Sequence, residues 1–276
     1  MRIDAHQHFW LYDSVKDAWI TEEMATIQRN FLPNDISGNL KQVGFDGVIA
    51  IQAAQTHRET EFLVELSRAY ALIKGVVGWV DLQSEKIEDY LIEFSKQKVI
   101  KGFRHIVEGE QDPDFLTRRE FLRGIRALTK FNFTYDLLVH SRHYSSTISC
   151  VESNPDQAFV LDHMAKPAIK TKEFDDWANF IEKLASYQNV QCKISGLVTE
   201  ADWKHWKLEH FTEYMDYVIK CFGRNRVMFG SDWPVCLLAG SYEDTLKIVD
   251  QSLGGFSEEE LKNFWGNNAV KFYSLS

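Results

Sequence analysis

Cysteine and proline are sparse in this chain: four and five, respectively, among 276 residues. Cys150, Cys192, Cys221 and Cys236 stand far apart and form no C-x-x-C pair, which excludes a thiolate metal knuckle and offers no disulfide framework. Isolated thiols in a chain of this size read as buried and reduced, as in the cytoplasm. No apolar run approaches the length of a membrane span. Met1-Arg2-Ile3-Asp4 leads straight into histidines, without the apolar core of a secretion signal. The expected location is therefore the cytoplasm, with no membrane as partner. Basic clusters are also missing. The 31 Lys and Arg are dispersed among 40 Asp and Glu, for a net charge of −9. Phosphate-binding grooves need concentrated cations, so nucleic acid is excluded as a partner, and a neutral small molecule suits this field better than an anion. No G-x-G-x-x-G follows the first apolar run, which removes the dinucleotide fingerprint. No Pro/Gly/Ser-rich linker, internal repeat or low-complexity tract divides residues 1–276, so a single domain is expected.

What is present is a regular alternation. Eight short apolar runs recur: 3–8, 45–52, 74–80, 99–104, 133–139, 158–162, 190–194 and 226–230. Several are apolar almost throughout, as parallel strands covered on their outer face must be. Between them lie stretches of helical spacing. Phe62, Leu63, Leu66 and Ala69 share one face, as do Trp177, Phe180, Ile181 and Leu184, and then Tyr214, Met215 and Val218. Strict strand–helix alternation means a parallel sheet. Eight strands in a chain of this length predict a (β/α)8 barrel of the TIM type, the common size for which is roughly 250 residues. The stretch from Trp10 to Asn34 is long for a strand-to-helix loop and carries Trp10, Tyr12, Trp19 and Phe31. Two readings stand open for it: an excursion packed on the rim, or a lid over the site.

Barrel enzymes work at the C-terminal ends of their strands. The first strand ends in Asp4-Ala5-His6-Gln7-His8, where two-residue spacing can send His6 and His8 to one face. The sixth ends in Leu161-Asp162-His163 and the eighth in Phe229-Gly230-Ser231-Asp232. A carboxylate across from histidines can serve as general base on water, which nominates Asp232. Alone, it could equally cap a helix. Trp10, Gln52, Trp79, His140, Lys166 and Trp233 also fall at or just beyond strand ends and are candidate substrate contacts. Rim packing or capping is the ordinary alternative for each. Glu258-Glu259-Glu260 reads as the charged first turn of a helix capped by Ser257.

Five segments in order, I-D-A-H-Q-H-F-W, G-F-R-H, L-D-H-M-A-K-P, F-G-S-D-W-P and W-G-N-N-A-V-K-F-Y, resemble the amidohydrolase superfamily from Ile3 to Tyr273. More narrowly they resemble its sugar-lactonase branch, which includes L-fuconolactone, L-rhamnonolactone and pyrone-dicarboxylate hydrolases. The resemblance implies ring opening of a small sugar lactone. It implies catalytic roles for His6, His8, His163, Asp232 and Arg104, and a place for His140 where metal-dependent relatives carry a further ligand. The resemblance also implies that no metal is required, since lactonases of this branch can work without one. Alternatively, one divalent ion such as zinc would be held by His6, His8 and Asp232, joined by His140 or His163. A two-metal site is not expected, because the end of the fourth strand reads Arg104-His105. The other readings are a metal-dependent decarboxylase or amide hydrolase on the same barrel, and a sugar-binding barrel without turnover.

Overall fold

In the computed structural model, which describes residues 1–276, all eight apolar runs are strands. They are β1 Ile3–Gln7, β2 Gly47–Ile51, β3 Ile73–Gly78, β4 Ile100–Ile106, β5 Thr134–Leu138, β6 Phe159–Leu161, β7 Val190–Ile194 and β8 Val227–Phe229. Each pairs with the next in parallel, in sequence order. The ring closes just past the ends of β8 and β1. There His8 N donates to the Trp233 carbonyl at 2.7 Å, Asp232 N donates to the His6 carbonyl at 2.9 Å, and Gln7 bridges Trp233 in parallel. The (β/α)8 barrel expected from the sequence is the fold.

The outer ring is α1 Pro33–Gln42, α2 His57–Ala69, α3 Ile87–Ser95, α4 Arg119–Lys130, α5 Tyr144–Glu152, α6 Asp175–Ala185, α7 Glu209–Phe222 and α8 Tyr242–Asp250. Their starts follow local chemistry. Thr56 Oγ1 accepts from Glu59 N at the head of α2, and Ser241 forms a reciprocal capping box with Asp244 at the head of α8. Ser257 and Glu260 make the same box ahead of Glu258–Lys262, as the sequence suggested. The buried stripe of α7 is Phe211, Tyr214, Met215, Val218 and Phe222. No helix is long and apolar enough to cross a membrane.

Two cores result. A cluster of 65 buried residues fills the space between sheet and helices. A separate cluster of ten lies inside the barrel, where Ile3, Ala5, Ile49, Ile51, Val77, Val160 and Met228 meet Tyr273 and Leu275 from the C-terminal segment. Ionisable side chains share the barrel interior with this second cluster. Lys193, Asp136, Asp162, Arg104 and His6 are all buried. The mouth is at the C-terminal strand ends.

The 10–34 stretch is both packed and exposed. Trp10 and Phe31 pair in an antiparallel bridge, with N–H···O distances of 2.9 Å each way. Phe31 meets Trp233 edge-on at 5.3 Å. Trp19, in contrast, is 40% exposed and, with Met24, faces the cavity at the mouth.

Candidate active site

The mouth holds a cavity of about 350 Å³. His8, Arg104, His163 and Asp232 reach its floor, and Lys166, Glu108, Glu200, Thr199, Trp19 and Trp203 form much of its wall. Each floor group is placed by its strand end. A register shift in β1 between Asp4 and Gln7 lets His6 turn inward next to His8, so their rings meet edge-on at 5.0 Å. Asp4 accepts from Ser231 N at 2.9 Å and from Gln7 Nε2 and Tyr242 OH at 2.7 and 3.2 Å, tying β1 to the turn that carries Asp232. Asp232 itself sits in the left-handed region, at φ 58°.

His163 opens a run of four left-handed residues, His163, Met164, Ala165 and Lys166. None is glycine, so each costs on the order of 1–2 kcal/mol. Outside partners hold the run. Trp177 Nε1 of α6 donates to the Met164 carbonyl at 2.6 Å, and Tyr144 OH of α5 donates to the Ala165 carbonyl at 3.2 Å. Strain held this way concentrates at functional sites. Gly196 makes room for the result: a Cβ there would lie 2.5 Å from His163 Nδ1.

His6, His8 and His163 converge on Asp232. Its Oδ1 is 3.4 Å from His8 Nε2, 3.7 Å from His6 Nε2 and 4.0 Å from His163 Nε2. Burial alone would raise the Asp232 carboxyl, but His163, His8 and His6 more than offset it and hold it below the usual carboxylate range. Burial pushes His163 down to about 4, against the pull of Asp232 and Asp162. At neutral pH the pair is thus a carboxylate beside a neutral imidazole. His163 Nδ1 is fixed by Ser195 Oγ at 2.9 Å.

The arrangement suits a metal by its dimensions. Donors on a tetrahedral zinc with arms of about 2.0–2.2 Å stand roughly 3.3–3.6 Å apart. His6 Nε2 and His8 Nε2 are 3.2 Å apart, and Asp232 Oδ1 is 3.4 and 3.7 Å from them. His8 Nδ1 lies 2.9 Å from the Ile51 carbonyl oxygen, to which it can only donate, so its Nε2 lone pair faces inward. His6, His8 and Asp232 therefore fit a divalent ion, and His6, Asp162 and His163 form a second such group.

The remaining candidates fall into two groups. Arg104 is at the floor, but its Nη1 is committed to Asp162 Oδ2 at 3.0 Å and its Nη2 to the Gln52 carbonyl at 2.6 Å. Its Nε has no protein partner. Gln52 is buried and donates to the Arg104 carbonyl, so it holds Arg104 and does not line the cavity. Trp10 is buried, with Nε1 donating to the Arg29 carbonyl, and Trp233 is buried under Phe31. Trp79 packs on His57, and His140 is exposed, its Nδ1 accepting from Ser141 N. None of these four reaches the cavity. Lys166 does, with Nζ 2.5 Å from Glu108 Oε2 and 3.9 Å from Glu200 Oε1. Trp19 reaches the wall from the long loop for which a lid was one of the two readings, whereas sequence reasoning missed Glu108, Glu200, Thr199 and Trp203 as a wall, and it missed Lys193 and Asp136 altogether. A charged residue in the middle of an apolar strand was the available signal for the last two.

A parallel barrel whose strand ends bring two histidines of β1, a histidine after β6 and an aspartate after β8 around one cavity defines a hydrolytic site of the amidohydrolase type. The chain belongs to that family: the amidohydrolase family model matches residues 3–275. It is 36% identical to an L-fucono-1,5-lactonase of Burkholderia multivorans, over 100% of this chain and 96% of that protein. It is 31% identical to an L-fucono-1,5-lactonase of Burkholderia ambifaria, over 99% and 96%. A solved Burkholderia multivorans amidohydrolase with bound zinc superposes with a TM-score of 0.96 at 36% identity, covering all of both chains.

Proposed function

We propose that the protein hydrolyses a small neutral sugar lactone, of the L-fucono-1,5-lactone kind, to the open hydroxy acid. The observation that carries the proposal is the convergence of His6, His8 and His163 on Asp232 at the floor of the cavity in the barrel mouth, in a chain 36% identical to a lactonase along its length.

The wall favours a neutral ring. Lys166 is paired with Glu108 and approached by Glu200, while Arg104 is spent on Asp162 and the Gln52 carbonyl. A carboxylated substrate would meet Lys166 and Arg104 already paired with acidic side chains, and Asp232, Glu108 and Glu200 around it. A polyol ring finds acceptors for its hydroxyls in those same carboxylates, and Trp19 and Trp203 for its C–H faces.

In the reaction, Asp232 takes a proton from water as the water oxygen bonds to the lactone carbonyl carbon. Arg104, which lines the cavity and has N–H groups beyond those given to Asp162 and the Gln52 carbonyl, is the donor available to the oxygen that gains charge, and such a donor is worth about 3–4 kcal/mol in the transition state. The ring C–O bond then breaks, and the departing alkoxide recovers the proton from Asp232, with His163 Nε2 4.0 Å from the carboxylate oxygen and placed to orient the water. A divalent ion at His6, His8 and Asp232 would supply Lewis-acid polarisation of the carbonyl.

The test is acid release by purified protein on a panel of freshly made lactones, with and without chelator. Turnover on a neutral deoxyhexono-1,5-lactone and none on a pyrone dicarboxylate is expected. The reverse preference would overturn the neutral-substrate reading, and silence across the panel would overturn the lactonase reading.

A further inference from the structure

Lys193 is the fourth of the five residues of β7 and is fully buried. Its Nζ is 2.5 Å from Asp136 Oδ2, 2.9 Å from Asp162 Oδ1 and 3.2 Å from His6 Nδ1. Tyr273 OH donates to the same Asp136 oxygen at 2.9 Å. Two carboxylates and an imidazole are ligands that a divalent ion takes. Here they surround an ammonium.

An ammonium offers protons and accepts none. Its contact with His6 Nδ1 is a hydrogen bond only if that nitrogen carries the lone pair. The proton of neutral His6 is then on Nε2, facing His8 Nε2 at 3.2 Å. His8 can accept there, because its own proton is on Nδ1, toward the Ile51 carbonyl. Arg104 Nη1, 3.3 Å from His6 Nε2, would favour the other tautomer. That tautomer would leave two lone pairs facing each other across the 3.2 Å between His6 and His8 and turn an N–H toward the Lys193 ammonium, whereas in the first tautomer Arg104 Nη1 gives up only its 3.3 Å contact and keeps Asp162 at 3.0 Å. The consistent chain runs Lys193 to His6 to His8 to the Ile51 carbonyl. A divalent ion reverses its first link. It needs the His6 Nε2 lone pair, which puts the proton on Nδ1 against the ammonium. Asp162 Oδ1, 3.4 Å away and without a hydrogen-bond partner of its own, is the acceptor that would take this proton, at the loss of the Lys193–His6 contact.

We infer that Lys193 is a positioning residue that competes with a divalent ion for His6. It holds Nδ1, keeps the Nε2 proton directed at His8, and weakens metal binding at His6, His8 and Asp232. The inference rests on that donor set being able to take an ion and is independent of which substrate is cleaved.

Two measurements test it. Histidine ¹⁵N NMR of zinc-free wild-type protein, with His6 assigned by the loss of its signals in His6→Asn, should show Nδ1 unprotonated and Nε2 protonated. The reverse tautomer overturns the inference without any need for a Lys193 variant. The zinc dissociation constant, read by competition with a chromophoric chelator, should be at least tenfold lower in Lys193→Met than in wild type, with the His6 proton moved to Nδ1. Methionine keeps an unbranched chain there and removes the donor. Unchanged or weaker affinity in a variant with a wild-type melting transition overturns it, as does tighter zinc binding with the tautomer unmoved. If Lys193→Met does not fold, the wild-type tautomer decides alone.

Discussion

At the scale of single residues, burial and pairing sort the charges around the cavity into distinct tasks. Lys166 and Glu108 satisfy each other, and Lys166 is raised by Glu108 and Glu200 despite its burial. Glu200, farther from Lys166, is pushed up to about 7, by burial first and then by Glu108 and Asp232. A carboxyl raised in the folded state contributes stability while it is protonated and loses that contribution as pH rises through the folded value. The Glu200 contribution should therefore fall by on the order of 2–3 kcal/mol between about pH 5 and pH 8, at about 1.4 kcal/mol per unit, superimposed on the opposite trend of buried neutral histidines such as His163. Glu200→Gln should remove that slope. Denaturant unfolding at the two pH values reads it, and equal slopes in both proteins would contradict the assignment. His6, His8, His163 and Asp232 were legible in the sequence because strand ends concentrate chemistry. Lys193 and Asp136 were not, because a lone charge inside an apolar strand gives no sign of the partner it meets across the barrel. Glu108 and Glu200 lie in loops, where no period says which way a side chain faces.

At the scale of elements, the site depends on backbone that local preference resists. The turn from His163 to Lys166 is left-handed at four non-glycine residues, and the helices behind it hold it there through Trp177 and Tyr144. Gly196, at φ 64°, is the matching concession on the β7 side. Gly196→Ala adds a left-handed alanine, about 1–2 kcal/mol, and presses a methyl onto the His163 ring. It should lower turnover by roughly 10²-fold, as a displacement of about 1 Å does elsewhere, together with a lower melting temperature. Wild-type kcat in this variant would show that His163 need not stand where it does. The strands themselves were readable to within a few residues, because parallel strands buried on both faces are apolar throughout. The left-handed turn was not readable, since Asp-His-Met-Ala-Lys contains no glycine to announce it. Trp177 was read as helix packing, and it is that, but its Nε1 also holds the turn.

At the scale of the whole molecule, closure of the barrel decides where chemistry is available. The interior is filled below by apolar side chains and the C-terminal Tyr273 and Leu275, and a layer of buried charge joins that core to the mouth. The mouth opens to a ligand, and the 10–34 stretch both seals its edge through Trp10, Phe31 and Trp233 and lines it through Trp19 and Met24. The alternation of strand and helix made this architecture legible, whereas the two-sided part played by the long loop emerges only when its aromatics meet β8. The central claim is that Asp232 activates water against a lactone carbonyl. Its most direct test is the initial rate of L-fucono-1,5-lactone opening, followed by NMR at neutral pH for wild type and Asp232→Asn, with thermal unfolding of both as a control. The account predicts a drop of roughly 10²–10⁴-fold, the range of general-base catalysis, in a variant that melts as wild type does. A correctly folded Asp232→Asn protein that opens the ring at the wild-type rate would contradict it.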